Sequence, residues 1–319
     1  FFENVKNGNY EDALGEIDGL SDTGIINLVR PFFKTWILAK QGKFDEAEEM
    51  IAALDPESTF NFFNYYQSGL IYEFMGNIEK AEELYAKSLN EKGLLNIRAV
   101  EAYGHILRVQ NKKQQAIDVY SQYLIDASAN ERLKKALADT EKDIKPEDYI
   151  ATIEEGYAEI FYAMSTILMQ DNVKRVASNF LQYALYFKED FPLVNFLLAQ
   201  IFESDKYYSG AVNELDKIGN NSPLYFQSKI QRAWLLDDMD QSEEALTALK
   251  KLKAEYQDSR DVMNSIAEFY RTHERYSEAI LEYDEIVNNI NQETERDWVL
   301  YYTRGIVLDQ EKLWDRAEK

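Results

Sequence analysis

A chain of 319 residues, 45% of them apolar, has ample material for a core and the length for two ordinary domains or one extended array. Its 57 acidic against 35 basic side chains give a net charge of −22, which repels phosphate backbones and anionic lipid and sets nucleic acid and membrane surfaces aside as partners. The absence of cysteine removes disulfides, thiolate metal sites and thiol nucleophiles, and no run of 18 apolar residues is present to span a membrane.

In chain order, Phe1 to Leu20 reads as the second helix of a pair, with Gly8, Tyr10 and Ala13 at its start. The same phrase returns as "QGKFDEAEEMIAAL", with Gly42, Phe44 and Ala47, and as "MGNIEKAEELYAKSL", with Gly76, Ile78 and Ala81. Taking that alanine as a marker, it recurs at Ala116, Ala177, Ala211, Ala245, Ala279 and Ala317. Successive markers stand 34, 34, 35, 61, 34, 34, 34 and 38 residues apart. Twelve residues before the marker a small residue recurs (Thr35, Gly69, Gly104, Ser165, Ala199, Ala233, Ala267, Gly305), which predicts a close helix crossing that the alanine completes. Four residues after it comes a large apolar residue, one turn along the buried stripe of the second helix. The turns between paired helices carry Gly8, Gly42, Gly76, Asn111 and Asn172, residues that tolerate positive φ.

The 61-residue interval holds an insert at 126–152, "ANERLKKALADTEKDIKPEDYIAT" at its heart, which reads as a charged helix and a break at Pro146. It divides the chain into an N-terminal array at 1–125, whose first repeat is partial, and a C-terminal array at 153–319, whose last repeat is cut short. Neither end supplies the polar cap that a stacked array needs, so the sequence reads as part of a longer one, with any signal peptide or anchor outside it.

A period of 34 with these contacts resembles the tetratricopeptide repeat (TPR) family over nearly the whole chain, the insert excepted. The resemblance implies an all-α superhelical solenoid of antiparallel helix pairs, interrupted by one helical insert, and a scaffold or adaptor that binds protein. The segments Glu154–Asn172 and Glu295–Lys319, the latter with Trp298, Tyr302, Arg304, Gly305, Trp314, Ala317 and Glu318, are similar to large multi-repeat proteins of alphaproteobacteria. More distant is a similarity to outer-membrane lipoprotein adaptors of processing proteases. These likenesses imply a bacterial, periplasmic or outer-membrane-associated protein with an envelope protease among its partners, a cytoplasmic location being the alternative.

Catalytic, cofactor and metal sites are not expected. The two histidines, His105 and His273, stand alone, and no phosphate loop, dinucleotide fingerprint or nucleophile elbow occurs. "DDMDQSEE" (237–244) clusters oxygen ligands but lacks the calcium-loop glycine and falls on an inter-helix turn. In a TPR array the first helix of each pair lines a concave groove. Register then places Phe32, Trp36, Tyr66, Tyr162, Phe196, Trp234 and Tyr302 on that inner face, as candidate contacts for an apolar or amphipathic protein segment. The carboxylate clamp of chaperone-type TPR domains has no counterpart there. The same residues also suit packing against neighbouring repeats. Two other classes stay open: an accessory module of an enzyme whose catalytic domain lies elsewhere, and a self-assembling structural protein.

Overall fold

The computed structural model describes residues 1–20, 24–55, 58–90, 97–126, 130–257, 259–290 and 297–318. All regular structure among them is helical, in nineteen helices that form two compact units, Phe1–Val194 and Asn195–Lys319.

In the first unit, α1 (Phe2–Lys6) and α2 (Tyr10–Asp18) are followed by the pairs α3 (Ile25–Lys40) with α4 (Phe44–Ala52), α5 (Asn61–Phe74) with α6 (Ile78–Asn90), and α7 (Ile97–Val109) with α8 (Lys113–Asp126). The insert supplies α9 (Glu131–Glu141), and α10 (Ile153–Gln170) with α11 (Lys174–Phe187) completes the unit. The start of α12 (Pro192–Ser204) lies in the first unit and its remainder in the second. There follow α13 (Tyr208–Asp216), α14 (Tyr225–Asp238) with α15 (Ser242–Glu255), α16 (Arg260–Thr272) with α17 (Tyr276–Asn288), and α18 (Trp298–Gln310) with α19 (Trp314–Ala317).

Register explains these boundaries. The second helix of every pair begins three residues before its marker alanine, and eight of the nine markers are fully buried, Ala317 being half-buried. Five residues before each marker the backbone is left-handed, at φ between 56° and 81°, from Gly8 through Lys312. The next amide donates to the carbonyl five residues back, as Lys43 to Leu38, Asn77 to Tyr72 and Arg275 to Tyr270 at 2.8–2.9 Å, so each first helix ends in the same Schellman closure. Glycine and asparagine suit that conformation at five sites; at the other four the chain imposes it on Lys206, Asp240, Glu274 and Lys312.

The small residues mark the crossings. Ser165 Oγ donates to the carbonyl of the marker Ala177 at 3.1 Å. At Gly69 an added Cβ would lie 2.6 Å from the ring of buried Tyr85, and at Gly104 it would overlap Tyr120. Where the facing residue is leucine or isoleucine, the small residue is threonine, serine or alanine (Thr35, Ser165, Ala199, Ala233). Ala267 faces a tyrosine, Tyr283, but that ring is turned to reach Glu268.

Residues 127–129 of the insert lie outside the described residues. The rest is a helix and a return strap. Asn130 caps α9 by accepting from the Leu133 amide at 3.0 Å, and α9 packs on α8. Residues 142–152 then lead to α10, where Thr152 accepts from the Glu155 amide and Glu155 from the Ala151 amide. Helices α10 and α11 lie in the first unit, where α10 packs back onto α3 and α5.

Candidate functional site

In the first unit the inner face is occupied. Helix α10 lies against the first helices of the preceding pairs and presents Gly156, Tyr157, Glu159 and Phe161 to them. Gly156 stands so close to the Trp36 indole that a Cβ there would overlap the ring. Tyr157 donates its hydroxyl to the Phe33 carbonyl at 2.7 Å and packs on the Phe33 ring at 4.8 Å. Phe161 meets Phe33 at 5.4 Å and Phe2 at 5.3 Å, so α1 seals one end of the contact. Trp36 and Tyr66 are 0% exposed and Phe32 is buried against Phe63. An open groove at these three positions is therefore not what the chain forms. Their apolar surface is covered by α10 and by the adjacent repeat. Tyr162 is half-buried and packs on Phe191 at 5.5 Å.

The polar half of this contact is a buried ionic cluster. Tyr66 donates its hydroxyl to Glu159 at 3.0 Å. Arg98 of α7 pairs with Glu159 through both a terminal nitrogen and Nε, the latter at 3.2 Å, and with Glu101 at 2.5 Å. Arg132 of α9 closes on Glu101 with bonds of 2.5 and 2.7 Å. Tyr149, on the return strap, lies under the Arg98 guanidinium at 4.8 Å and donates to the Arg98 carbonyl at 3.2 Å. Beside it His105 packs at a tilt against Tyr149, ring centroids 5.3 Å apart, and contacts Glu73 at 3.0 Å, which also accepts from Tyr85 at 2.6 Å. Burial raises the Glu101 carboxyl, but attraction and hydrogen bonds from Arg132 and Arg98 outweigh it and hold its pKa at about 2. Burial, and then the Glu159 charge, push the Tyr66 phenol well above its usual 10, so it remains a donor. A matched cluster like this adds little net stability against an apolar core of the same shape. Removing one member strands the others and costs about 3–5 kcal/mol.

The second unit leaves its corresponding residues more open. Phe196 and Trp234 are half-buried; Trp234 packs on Phe269 at 6.2 Å. Tyr302 is 63% exposed and Trp298 64%, their rings 6.3 Å apart, with Ile306 exposed one turn further along α18. The opposite face of α18 sends Leu300, Val307 and Leu308 into the core. The helix is thus apolar on two faces, and only one is covered by its own unit. Leu313 and Trp314 add exposed apolar surface on the following turn and helix. The nearby cations are engaged: Arg304 and Arg316 both bind Asp284, at 2.8 and 2.6 Å. Register reasoning located Tyr302; Trp298 lies one turn before it and the same 3.6-residue spacing would have found it.

Other chemistry is sparse among the described residues. No group of three His, Asp or Glu side chains is placed to hold a metal, and no helix is long and apolar enough to cross a membrane. His273 is stacked on Phe269 at 4.2 Å, with its ring nitrogens near the Phe269 carbonyl and Asp237. A cavity of about 560 Å³ beside the return strap carries three cations, of which Arg108 donates to the Ile144 carbonyl and Lys113 pairs with Asp143.

Residues 64–92 and 229–259 each match a family model described as a tetratricopeptide repeat, one in each unit, overlapping the pairs α5–α6 and α14–α15. No curated protein matches the chain. Among solved structures, a tetratricopeptide repeat protein from Parabacteroides merdae is similar at 14% identity, covering 92% of this chain and 98% of that one, with a TM-score of 0.36. MamA AMB-1 is 14% identical over 63% of this chain and 94% of its own, with a TM-score of 0.35. YrrB, described as a TPR protein with an unusual peptide-binding site, is 16% identical over 63% and 89%, at 0.32. Among the described residues the chain is all-helical and built of paired helices, and two of its pairs match the tetratricopeptide repeat models.

Proposed function

We propose that this protein is a non-enzymatic TPR scaffold that holds a protein partner on the apolar face of its second unit. The observation that carries the reading is the exposed stripe of Trp298, Tyr302 and Ile306 on α18, on a helix whose other apolar face is already in the core. Phe196 and Trp234 offer further half-buried aromatic surface on the same unit. Exposed aromatics of this size are where binding energy concentrates, and an apolar or amphipathic segment is the chemistry they fit. Trp36, Phe32 and Tyr66 are structural in this reading, since their surface is spent inside the first unit. A bacterial envelope setting rests on the resemblance of Glu154–Asn172 and Glu295–Lys319 to large multi-repeat proteins, and an envelope protease partner on the more distant likeness to lipoprotein adaptors.

The test is to select amphipathic helical peptides from a displayed library on the full chain and titrate the tightest against wild type, Trp298→Ala, Tyr302→Ala and Trp234→Ala. A true anchor loses about 2 kcal/mol, roughly thirtyfold in affinity, on truncation to alanine. Because the contact is apolar, affinity holds between low and high salt. Unchanged affinity in all three variants, or binding abolished by salt, rejects this face.

A further inference from the structure

We infer that the inner face of the first unit is a helix-binding groove that the chain itself occupies, with α10 as its built-in ligand and residues 142–152 as the tether. The groove comprises α3, α5 and α7, and what it recognises can be read from its contacts. A residue without a side chain is required at 156, where the Trp36 indole sits. A tyrosine follows at 157, whose ring and hydroxyl meet the ring and carbonyl of Phe33. A carboxylate is required at 159, where Tyr66 and Arg98 converge from two different helices. An aromatic ring at 161 fills the space between Phe33 and Phe2. The partner class is therefore an amphipathic helix reading Gly-Tyr-x-Glu-x-Phe, and these are the residues Gly156 to Phe161.

Two features distinguish this from ordinary stacking of consecutive repeats. The contacts join residues 93 and 124 apart in the chain, reaching past the neighbouring pair to α5 and α3, and the strap that delivers α10 is itself held by the groove. Tyr149 on the strap packs under the same Arg98 that grips Glu159, so tether and ligand are read by one guanidinium. A tethered helix is present at a high effective concentration, so an external helix of the same chemistry is excluded until α10 is prevented from docking.

The experiment uses the full chain and a labelled synthetic peptide of residues 153–170. Wild type is expected not to bind the peptide. The full-chain variant Gly156→Leu, in which α10 cannot seat against Trp36, is expected to bind it, as is the wild-type chain after cleavage at a protease site placed in 142–152. The peptide arm stands apart from folding defects in the protein: a peptide carrying Glu159→Gln is expected to bind the opened groove about a hundredfold more weakly, because it leaves Arg98 without its buried charge partner, and one carrying Gly156→Leu not at all. Binding of the peptide to uncut wild type at the affinity of the opened forms would overturn the proposal, as would equal affinity of the Glu159→Gln peptide. Failure of the peptide to bind both opened forms would overturn it too. None of these outcomes bears on the α18 face, whose ligands are scored with the first unit intact.

Discussion

Replacing Gly69 by alanine tests the close crossing on which the repeat depends. An added Cβ would lie 2.6 and 2.7 Å from two carbons of the Tyr85 ring, against an ordinary carbon contact of about 3.5–4.0 Å, so the ring has to move by about 1 Å. Tyr85 has little room to do so: it is fully buried and donates to Glu73 at 2.6 Å. Overpacking costs about 1–3 kcal/mol, and loosening a hydrogen bond to a charged acceptor adds part of about 1.5–3 kcal/mol. Alanine returns about 1 kcal/mol through helix propensity. The net expectation is a loss of about 2 kcal/mol, a fall of roughly 4–8 °C in Tm for a unit of this size. The double variant Gly69→Ala/Tyr85→Leu recreates the alanine–leucine crossing of Ala233 with Leu249, and Glu73 keeps its contact to His105. Urea unfolding of the four proteins in a double-mutant cycle is the assay, and the pair should recover about 1 kcal/mol or more relative to additivity. A Gly69→Ala protein as stable as its parent, or strictly additive substitutions, would refute the crossing argument.

Ala245→Leu places extra methyl groups at a fully buried marker and should cost about 1–3 kcal/mol in urea unfolding. Lys206→Gly and Glu274→Gly relieve left-handed backbone at φ 59° and 56°; each should raise the unfolding free energy in urea by about 0.5–1 kcal/mol after the entropy of glycine is counted. Glu101 has its carboxyl held at about 2 against an ordinary 4.5, so its contribution is complete above pH 4.5 and is lost as pH falls from there to about 2. Glu101→Gln should therefore cost about 3 kcal/mol at neutral pH, with that deficit shrinking through the same window when unfolding is followed by circular dichroism.

The repeat was legible because its signals are local. Each helix pair needs a small residue, a marker alanine and a positive-φ turn at fixed offsets, and eight of the nine predicted markers are fully buried. The left-handed residues Lys206, Asp240, Glu274 and Lys312 were not visible as turn chemistry, because the Schellman closure imposes the conformation whatever the side chain. The return of α10 was not legible either. An apolar inner-face residue such as Trp36 has the same periodicity whether it meets solvent, the next repeat or a helix 120 residues on, as its contact with Gly156 shows. The charged residues held more information than they disclosed alone. Arg98, Glu101, Arg132 and Glu159 look like solvated helix faces one at a time, and only their convergence marks a buried cluster.

The central claim is that one inner face is filled and the other open, and the four tryptophans report on it directly. One full chain keeps only Trp36, with Trp234→Phe, Trp298→Phe and Trp314→Phe; another keeps only Trp298, with the other three replaced by phenylalanine. Acrylamide quenching of the two should differ sharply. Trp36, 0% exposed beneath Gly156, should emit to the blue with a quenching constant several times smaller than that of Trp298, which is 64% exposed. Equal quenching of the two in a chain whose circular dichroism shows it folded would mean that α10 does not fill the first groove, and would contradict the account.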